Sequence, residues 1–176
     1  SSIEEYATAK KQLFLSQNSS QFSILNQDSE WNHFFESELE SKVLWYDQNS
    51  LPDDWNLTML GVHNRINAGA VLIMAKEMGL DLVKAREAIE KFVGVEHRLE
   101  FVRNLNGVDF YNDSTATNPS AATAGLATIL ELGKKVILIA GGNDKNMGFE
   151  EFVDKINVNQ IKTVLLEGTA DQKLAS

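Results

Sequence analysis

The feature that most constrains this chain is the order of its last apolar segments. The run KVILIA, residues 135–140, is followed by the loop GGNDKNM, the helical pattern FEEFVDKI and a second apolar run, TVLLEG. Strand, helix and strand in this order form the unit of a parallel sheet, because parallel strands need a crossover connection between them. The sequence therefore predicts an α/β fold with a parallel sheet.

The first half of the chain also alternates helices and strands. Residues 3–15 have helical periodicity, FSILNQD and KVLWYD read as strands, and Asp28 and Ser29 are expected to cap the helix DSEWNHFFESEL between them. Two consecutive helices follow, HNRINAGAVLIMAKEM and LVKAREAIEKFV, the second capped by Asp81. This change of pattern predicts a domain boundary after Gly94, giving domains of residues 1–94 and 95–176.

A hairpin opens the second domain. LEFVRN and VDFYND flank LNG, and Asn106 and Gly107 are the residues that a tight hairpin turn requires. The next helix is expected from Asn118, as its N-cap, to about Leu132, with Pro119 as its first residue.

Composition excludes several classes of function. The formal net charge is −9 and the 16 basic residues form no cluster, which argues against a nucleic-acid partner. No apolar run approaches the roughly 20 residues of a membrane helix, so no membrane partner is expected. The absence of cysteine suits a reducing compartment. We therefore expect a cytoplasmic protein.

The stretch YNDSTATNPSA, residues 111–121, holds the first candidate site. Residues Asp113 to Thr117 form a loop between the end of a strand and the start of a helix, where open α/β sheets bind ligands. Free backbone N–H groups there favour an anion, and Asp113 is suited to accept hydrogen bonds from sugar hydroxyls. The same small polar side chains are also typical of residues that only satisfy turn and cap hydrogen bonds.

A second loop, GGNDKN at residues 141–146, follows the apolar strand. Its glycines permit close approach of a ligand to the backbone, and Lys145 supplies a cation. We expect both loops to open on the same edge of one sheet. A solvated lysine after a glycine turn is the alternative, and GGNDK is not a complete Walker or dinucleotide motif.

Four further residues are candidates with equally ordinary alternatives. Asn64 and Asn67 share a helix face and are suited either to read a purine edge or to cap the helix. Arg98 is placed to clamp a phosphate or to be a solvated hinge charge. Lys10, in YATAK, would by itself be read as a surface lysine.

Taken together, YATAK, GVHNRIN, EHR, NDSTATN and GGNDK resemble the Mur ligases, and within that family the branch that adds D-glutamate. The resemblance runs from about Tyr6 to the last residue, and HNRIN, NDSTATN and GGNDK are its most specific pieces. It implies the latter part of a central ATPase domain followed by a Rossmann-like C-terminal domain. The implied reaction joins D-glutamate to UDP-N-acetylmuramoyl-L-alanine through an acyl phosphate, with ATP and Mg²⁺, in a monomeric enzyme.

The resemblance also implies roles for individual residues. Lys10 matches a lysine that the family carbamylates and that then helps to hold Mg²⁺; only the neutral amine attacks carbon dioxide, and burial favours that form. The other residues fall into two groups by the ligand they are expected to contact. The ATP side has Asn64 and Asn67 at adenine, Asp113 at ribose and Arg98 at the phosphates, and the D-glutamate side has Ser114, Thr117 and Lys145.

The chain departs from the family pattern in two ways. The P-loop, the acidic magnesium ligand and the UDP-binding first domain are missing, so we expect an internal fragment that has no ligase activity alone. Thr115 stands where the family often carries lysine, so more of the carboxylate recognition is expected to fall to Lys145.

Three other functions stay open. A sibling ligase of the same class, including the folate-polyglutamate branch, would differ in its amino acid. A nicotinamide oxidoreductase should contain a G-x-G-x-x-G turn, and none occurs. A non-catalytic nucleotide-binding module would retain the binding residues without a P-loop.

Overall fold

The computed structural model describes residues 3–143, 147–158 and 160–169. Six α-helices and six strands are described there, in an order that alternates except at α3–α4 and β3–β4. They are α1 Ile3–Leu15, β1 Phe22–Asn26, α2 Glu30–Phe35, β2 Lys42–Tyr46, α3 Val62–Glu77, α4 Leu82–Lys91, β3 Glu100–Leu105, β4 Val108–Asn112, α5 Pro119–Glu131, β5 Val136–Gly141, α6 Glu150–Ile156 and β6 Ile161–Glu167. The α/β class expected from the sequence is confirmed.

The chain divides into two compact units. One comprises Ser1–Thr58 and Val62–Phe92, and the other Met59–Gly61 and Val93–Ser176. The assignment of an ATPase role to residues 1–94 and a ligand-binding role to residues 95–176 stays a prediction. Within the described ranges, no helix is long and apolar enough to cross a membrane.

The first unit holds a parallel pair of strands and a helical core. β1 pairs with β2 in register from Phe22↔Lys42 to Asn26↔Tyr46. Helices α3 and α4 bury apolar side chains against the loop that follows β2, in a cluster of Leu51, Trp55, Ala68, Leu72 and Ile89. Gly69 permits the close approach, because a β-carbon there would lie 2.9 Å from Cβ of Ser50.

Two arginines hold the loop after β2 in place. Arg65 donates to the carbonyls of Trp55 at 3.1 Å and Pro52 at 3.0 Å. Arg86 pairs with Asp54 at 2.9 Å, and its guanidinium lies 5.3 Å from the centroid of the Trp55 ring. Arg65 lies between the candidates Asn64 and Asn67 in the sequence, and its side chain stabilises the loop after β2.

The second unit opens with the expected hairpin. β3 and β4 are antiparallel, and Asn106 and Gly107 have φ angles of 53° and 83°, the left-handed values that a type I′ turn needs. Helix α5 begins as predicted, since the side chain of Asn118 accepts a hydrogen bond from the Ala121 amide at 2.8 Å. β5 and β6 form a parallel pair, and α5 and α6 cover one of its faces with Leu126, Leu130 and Phe152.

Two expectations are wrong. Helix α2 ends at Phe35 and gives way to a short 3-10 turn, and Ser29 occupies its N-cap position without a side-chain cap bond, so neither Asp28 nor Ser29 caps it as predicted. The two candidate loops also do not open from one sheet. Among the described strands, β4 pairs only with β3, and β5 pairs only with β6. The loop after β4 and the loop after β5 therefore follow strands of different sheets.

Candidate functional site

The loop of residues 113–117 is tied to the turn of residues 97–99 in the second unit. The carboxylate of Asp113 accepts a hydrogen bond from the Leu99 amide at 2.9 Å. Thr115 donates twice to the carbonyl of His97, from its amide at 3.1 Å and from its hydroxyl at 2.8 Å. The motifs EHR and NDSTATN, which are separate in the sequence, thus form one assembly of two loops.

Asp113 is held from two sides and keeps acceptor capacity. Its Oδ1 takes the Leu99 amide, while its Oδ2 lies against α5, where a β-carbon on Gly125 would be 2.3 Å away. A carboxylate has about four acceptor sites, so one protein hydrogen bond leaves others for a ligand. Asp113 is half-buried, and its carboxylate lies against the middle of α5, at Gly125.

Arg98 lies between two residues with left-handed backbone. The φ angles of His97 and Leu99 are 65° and 45°, values that residues other than glycine adopt uncommonly. The turn is closed by the Arg98 amide to the Val95 carbonyl at 3.1 Å and by the His97 amide to the Glu100 carboxylate at 2.8 Å. The Arg98 side chain is exposed and makes no hydrogen bond or ion pair with the described residues, so it is available to an anion.

Ser114 and Thr117 lie exposed on the same loop. The Ser114 amide donates to the Asn112 side chain at 3.1 Å, and the Thr117 amide donates to the Thr115 carbonyl at 2.9 Å. Asn112 in turn contacts the His97 ring, with Nδ2 and Nδ1 2.8 Å apart. The turn hydrogen bonds expected as the ordinary alternative are therefore present, on a loop whose Ser114 and Thr117 are exposed.

Gly141, at the end of β5, and Gly142, just after it, lack a side chain for different structural reasons. A β-carbon on Gly141 would lie 1.8 Å from the carbonyl oxygen of Glu167, so its closeness serves the neighbouring strand β6. Gly142 has a φ of 126° and open space where its β-carbon would be. Close approach to a ligand thus remains possible at Gly142 only. The predicted cation, Lys145, lies outside the described residues.

The first unit carries the other predicted residues. Asn64 and Asn67 lie in the first two turns of α3, and Asn67 is exposed. Lys10 is exposed on α1, with Nζ 5.5 Å from the centroid of the Tyr6 ring, so the burial that would favour its neutral amine is not present. Among residues 3–143, 147–158 and 160–169, no group of three or more His, Cys, Asp or Glu is arranged to hold a metal ion.

An ion pair supports the hairpin that leads to the site. Lys134, just after α5, pairs with Asp109 of β4, which also accepts from the Asn104 side chain at 2.6 Å. The Lys134 ammonium holds the pKa of Asp109 below its usual value, and the Asn104 amide adds to this. In return, hydrogen bonding to Asp109 raises the pKa of Lys134.

Several residues of the assembly escaped sequence reasoning. The contacts of Leu99, Thr115 and Gly125 depend on residues at least twelve positions away, which no local pattern reveals. Gly125 did carry a signal, because a glycine inside a helix is unfavourable and often marks close packing.

The chain is similar in sequence to known proteins. Residues 97–176 match the family described as Mur ligase, glutamate ligase domain. Two relatives, both named UDP-N-acetylmuramoylalanine–D-glutamate ligase, come from Clostridium botulinum and Symbiobacterium thermophilum. They are 34% and 32% identical over 98% of this chain. The chain spans only 41% and 42% of their lengths.

Solved structures share the fold. MurF from Acinetobacter baumannii superposes with a TM-score of 0.78 at 15% identity, over 98% of this chain and 44% of that one. MurC from Thermotoga maritima has a TM-score of 0.56 at 23% identity, over 68% of this chain and 27% of that one. At these identities the likeness is one of fold.

Proposed function

Because the chain belongs to the Mur ligase family, we propose that the complete protein carrying it joins D-glutamate to UDP-N-acetylmuramoyl-L-alanine, hydrolysing ATP. The reaction would serve peptidoglycan synthesis in the cytoplasm. The choice of amino acid is supported by the names of the relatives that align with nearly the whole chain.

The observation that carries the proposal is the hydrogen bond between the Leu99 amide and the Asp113 carboxylate. It joins the turn that bears an exposed arginine to the loop that opens α5. A carboxylate suited to ribose hydroxyls and a guanidinium suited to phosphate then belong to one assembly, as a nucleotide site requires.

The reaction would proceed in two steps. The terminal carboxylate of the nucleotide-linked substrate attacks the γ-phosphorus of ATP, forming an acyl phosphate and releasing ADP. The amine of D-glutamate then attacks the acyl carbon, loses a proton and displaces phosphate. Such chemistry needs mainly positioning and charge neutralisation, which amides, hydroxyls and isolated cations supply.

In this proposal Asp113 accepts from the ribose hydroxyls and Arg98 contacts the phosphates. Ser114 and Thr117 face the incoming D-glutamate, and Lys145 pairs with its carboxylate. The exposed hydroxyl-bearing loop supports these roles, as does an Arg98 guanidinium that has no partner among the described residues.

The first unit would contribute Asn64 and Asn67 at adenine and Lys10 as a carbamate. Magnesium is the family's metal, but the described residues do not form a site for it by themselves. Lys10 is therefore at most one ligand among others that lie elsewhere in the complete protein. Lys10 is exposed in the described part of the chain, so the burial and metal coordination that favour a carbamate would have to come from the rest of the complete protein.

Phosphate release by the complete protein tests the proposal. ATP, Mg²⁺ and UDP-N-acetylmuramoyl-L-alanine are supplied with one amino acid at a time, including D-glutamate, L-glutamate and L-lysine. Release that requires D-glutamate is the expected result. A requirement for another amino acid would favour a sibling ligase, and binding of ATP without release would favour a nucleotide-binding module.

The 176-residue chain by itself is proposed to be inactive, because its sequence contains no phosphate-cradling loop. ATP-dependent ligation by the purified chain would contradict this.

A further inference from the structure

Resting on the proposed function, we infer that Thr115 is a positioning residue for Arg98. Its hydroxyl holds the carbonyl of His97 and so fixes the left-handed turn that presents the arginine. Thr115 would then act on the nucleotide through Arg98 and make no contact with the amino-acid substrate.

The contact itself has good geometry. The hydroxyl and the amide of Thr115 both donate to the His97 carbonyl, at 2.8 Å and 3.1 Å. A carbonyl oxygen has two lone pairs, so both bonds can form together. The hydroxyl proton is thereby committed to the backbone and is not free for a substrate carboxylate.

The turn needs such support. His97 and Leu99 both have positive φ, and left-handed backbone costs energy in residues with side chains, so surrounding contacts must hold it. Leu99 is held through Asp113, and His97 through Thr115 and the side chains of Asn112 and Glu100. Loss of a bond on the His97 side should let the turn relax towards ordinary backbone.

Arg98 depends on this turn for its direction. Its amide bonds to Val95 within the turn, whereas its guanidinium has no partner among the described residues. Among the described residues no hydrogen bond or ion pair orients the Arg98 side chain, so the backbone at His97 and Leu99 sets where the side chain begins. A change in that backbone would redirect the guanidinium.

Side-chain length explains why threonine suits this task. A threonine hydroxyl sits on the β-carbon and reaches a nearby carbonyl, whereas lysine carries its ammonium on a flexible four-carbon stem. A lysine at this position would leave the His97 carbonyl with the backbone amide alone.

The test compares Thr115→Val with Thr115→Ser in the complete protein. Valine keeps the shape and removes the hydroxyl, while serine keeps the hydroxyl. Thr163→Val in β6 is the matched control, since its exposed hydroxyl makes no hydrogen bond with the described residues. The readouts are hydrogen exchange of the peptide containing Leu99, which needs no activity, and the KM values for ATP and D-glutamate.

We expect Thr115→Val to speed exchange at residues 97–99 by about 5-fold, the effect of losing one typical hydrogen bond. The KM for ATP should rise by a similar factor of about 5 while the KM for D-glutamate stays unchanged. Thr115→Ser and Thr163→Val should behave like the unmodified protein in both measurements.

Unchanged exchange in Thr115→Val would overturn the inference, as would a rise confined to the KM for D-glutamate. Faster exchange in Thr115→Ser equal to that in Thr115→Val would also overturn it. If the unmodified protein releases no phosphate with any amino acid, the proposed function fails. The exchange experiment and a titration with ATP would still decide whether Thr115 holds the turn.

Discussion

Asp113 and Gly125 lie so close that a β-carbon on the glycine would be 2.3 Å from Oδ2 of the carboxylate. The glycine is buried in α5, and the carboxylate also accepts the Leu99 amide. Helix α5 therefore forms one wall of the position that Asp113 occupies.

The substitution Gly125→Ala should displace the Asp113 carboxylate. Alanine is favoured over glycine in a helix by about 1 kcal/mol, which should roughly offset the lost hydrogen bond and leave the free energy of unfolding little changed. The loss of the Leu99 hydrogen bond should meanwhile speed exchange of that amide and weaken ATP binding by roughly 10-fold. Titration with ATP and denaturant unfolding measure the two effects separately. Ala124→Ser on the exposed neighbouring position is the control.

The N-cap of α5 should contribute measurably to stability. Asn118→Ala removes the acceptor of the Ala121 amide and should lower the free energy of unfolding by about 1 kcal/mol. Asn118→Asp retains a side-chain acceptor and should restore most of the loss. Urea denaturation compares the three proteins, and equal stability of the alanine and aspartate variants would contradict a cap role.

The Asp109–Lys134 pair should make the stability of the hairpin depend on pH. The pKa of Asp109 is lowered in the folded state, so its contribution is present above the usual aspartate pKa and is lost as pH falls through the lowered value. The pKa of Lys134 is raised, so its contribution is present below the usual lysine pKa and is lost as pH rises through the raised value.

Asp109→Asn tests this pair. The difference in unfolding free energy between the unmodified protein and the variant should be largest near neutral pH and shrink in acid. The difference should be modest, because the Lys134 side chain is exposed and solvent screens its charge. High salt should also reduce this difference in unfolding free energy. A difference that does not vary with pH would rule out the electrostatic explanation.

The core of the first unit should be sensitive at Leu51, whose exposed fraction is 1%. Leu51→Ala removes a side chain packed against Trp55 and Leu72 and should destabilise this unit by about 2–5 kcal/mol. Leu13→Ala is the matched control, since Leu13 is 70% exposed. Native-state hydrogen exchange of the α3 amides measures both variants, and a similar small effect at the two positions would contradict the packing described here.

Sequence reasoning succeeded where structure is decided locally. The hairpin at Asn106 and Gly107, the caps at Asp81 and Asn118, and the strands of the parallel pairs all lie where their patterns predict them. The predicted cap of α2 was wrong, because Ser29 occupies the N-cap position but its side chain makes no cap hydrogen bond. Residue type permits a cap, but the rotamer that forms it depends on the surroundings.

The fold class and the motifs of this chain could be predicted from the sequence, because periodicity, turn chemistry and helix capping act over a few residues. Packing in three dimensions fixes which of those motifs meet. It joined His97 to Thr115 and Asp113 to both Leu99 and Gly125, and it put the Asp113 loop and the Gly142 loop on strands of different sheets. Contacts between residues 12 to 18 positions apart depend on how helices and strands pack, and no spacing in the sequence encodes that.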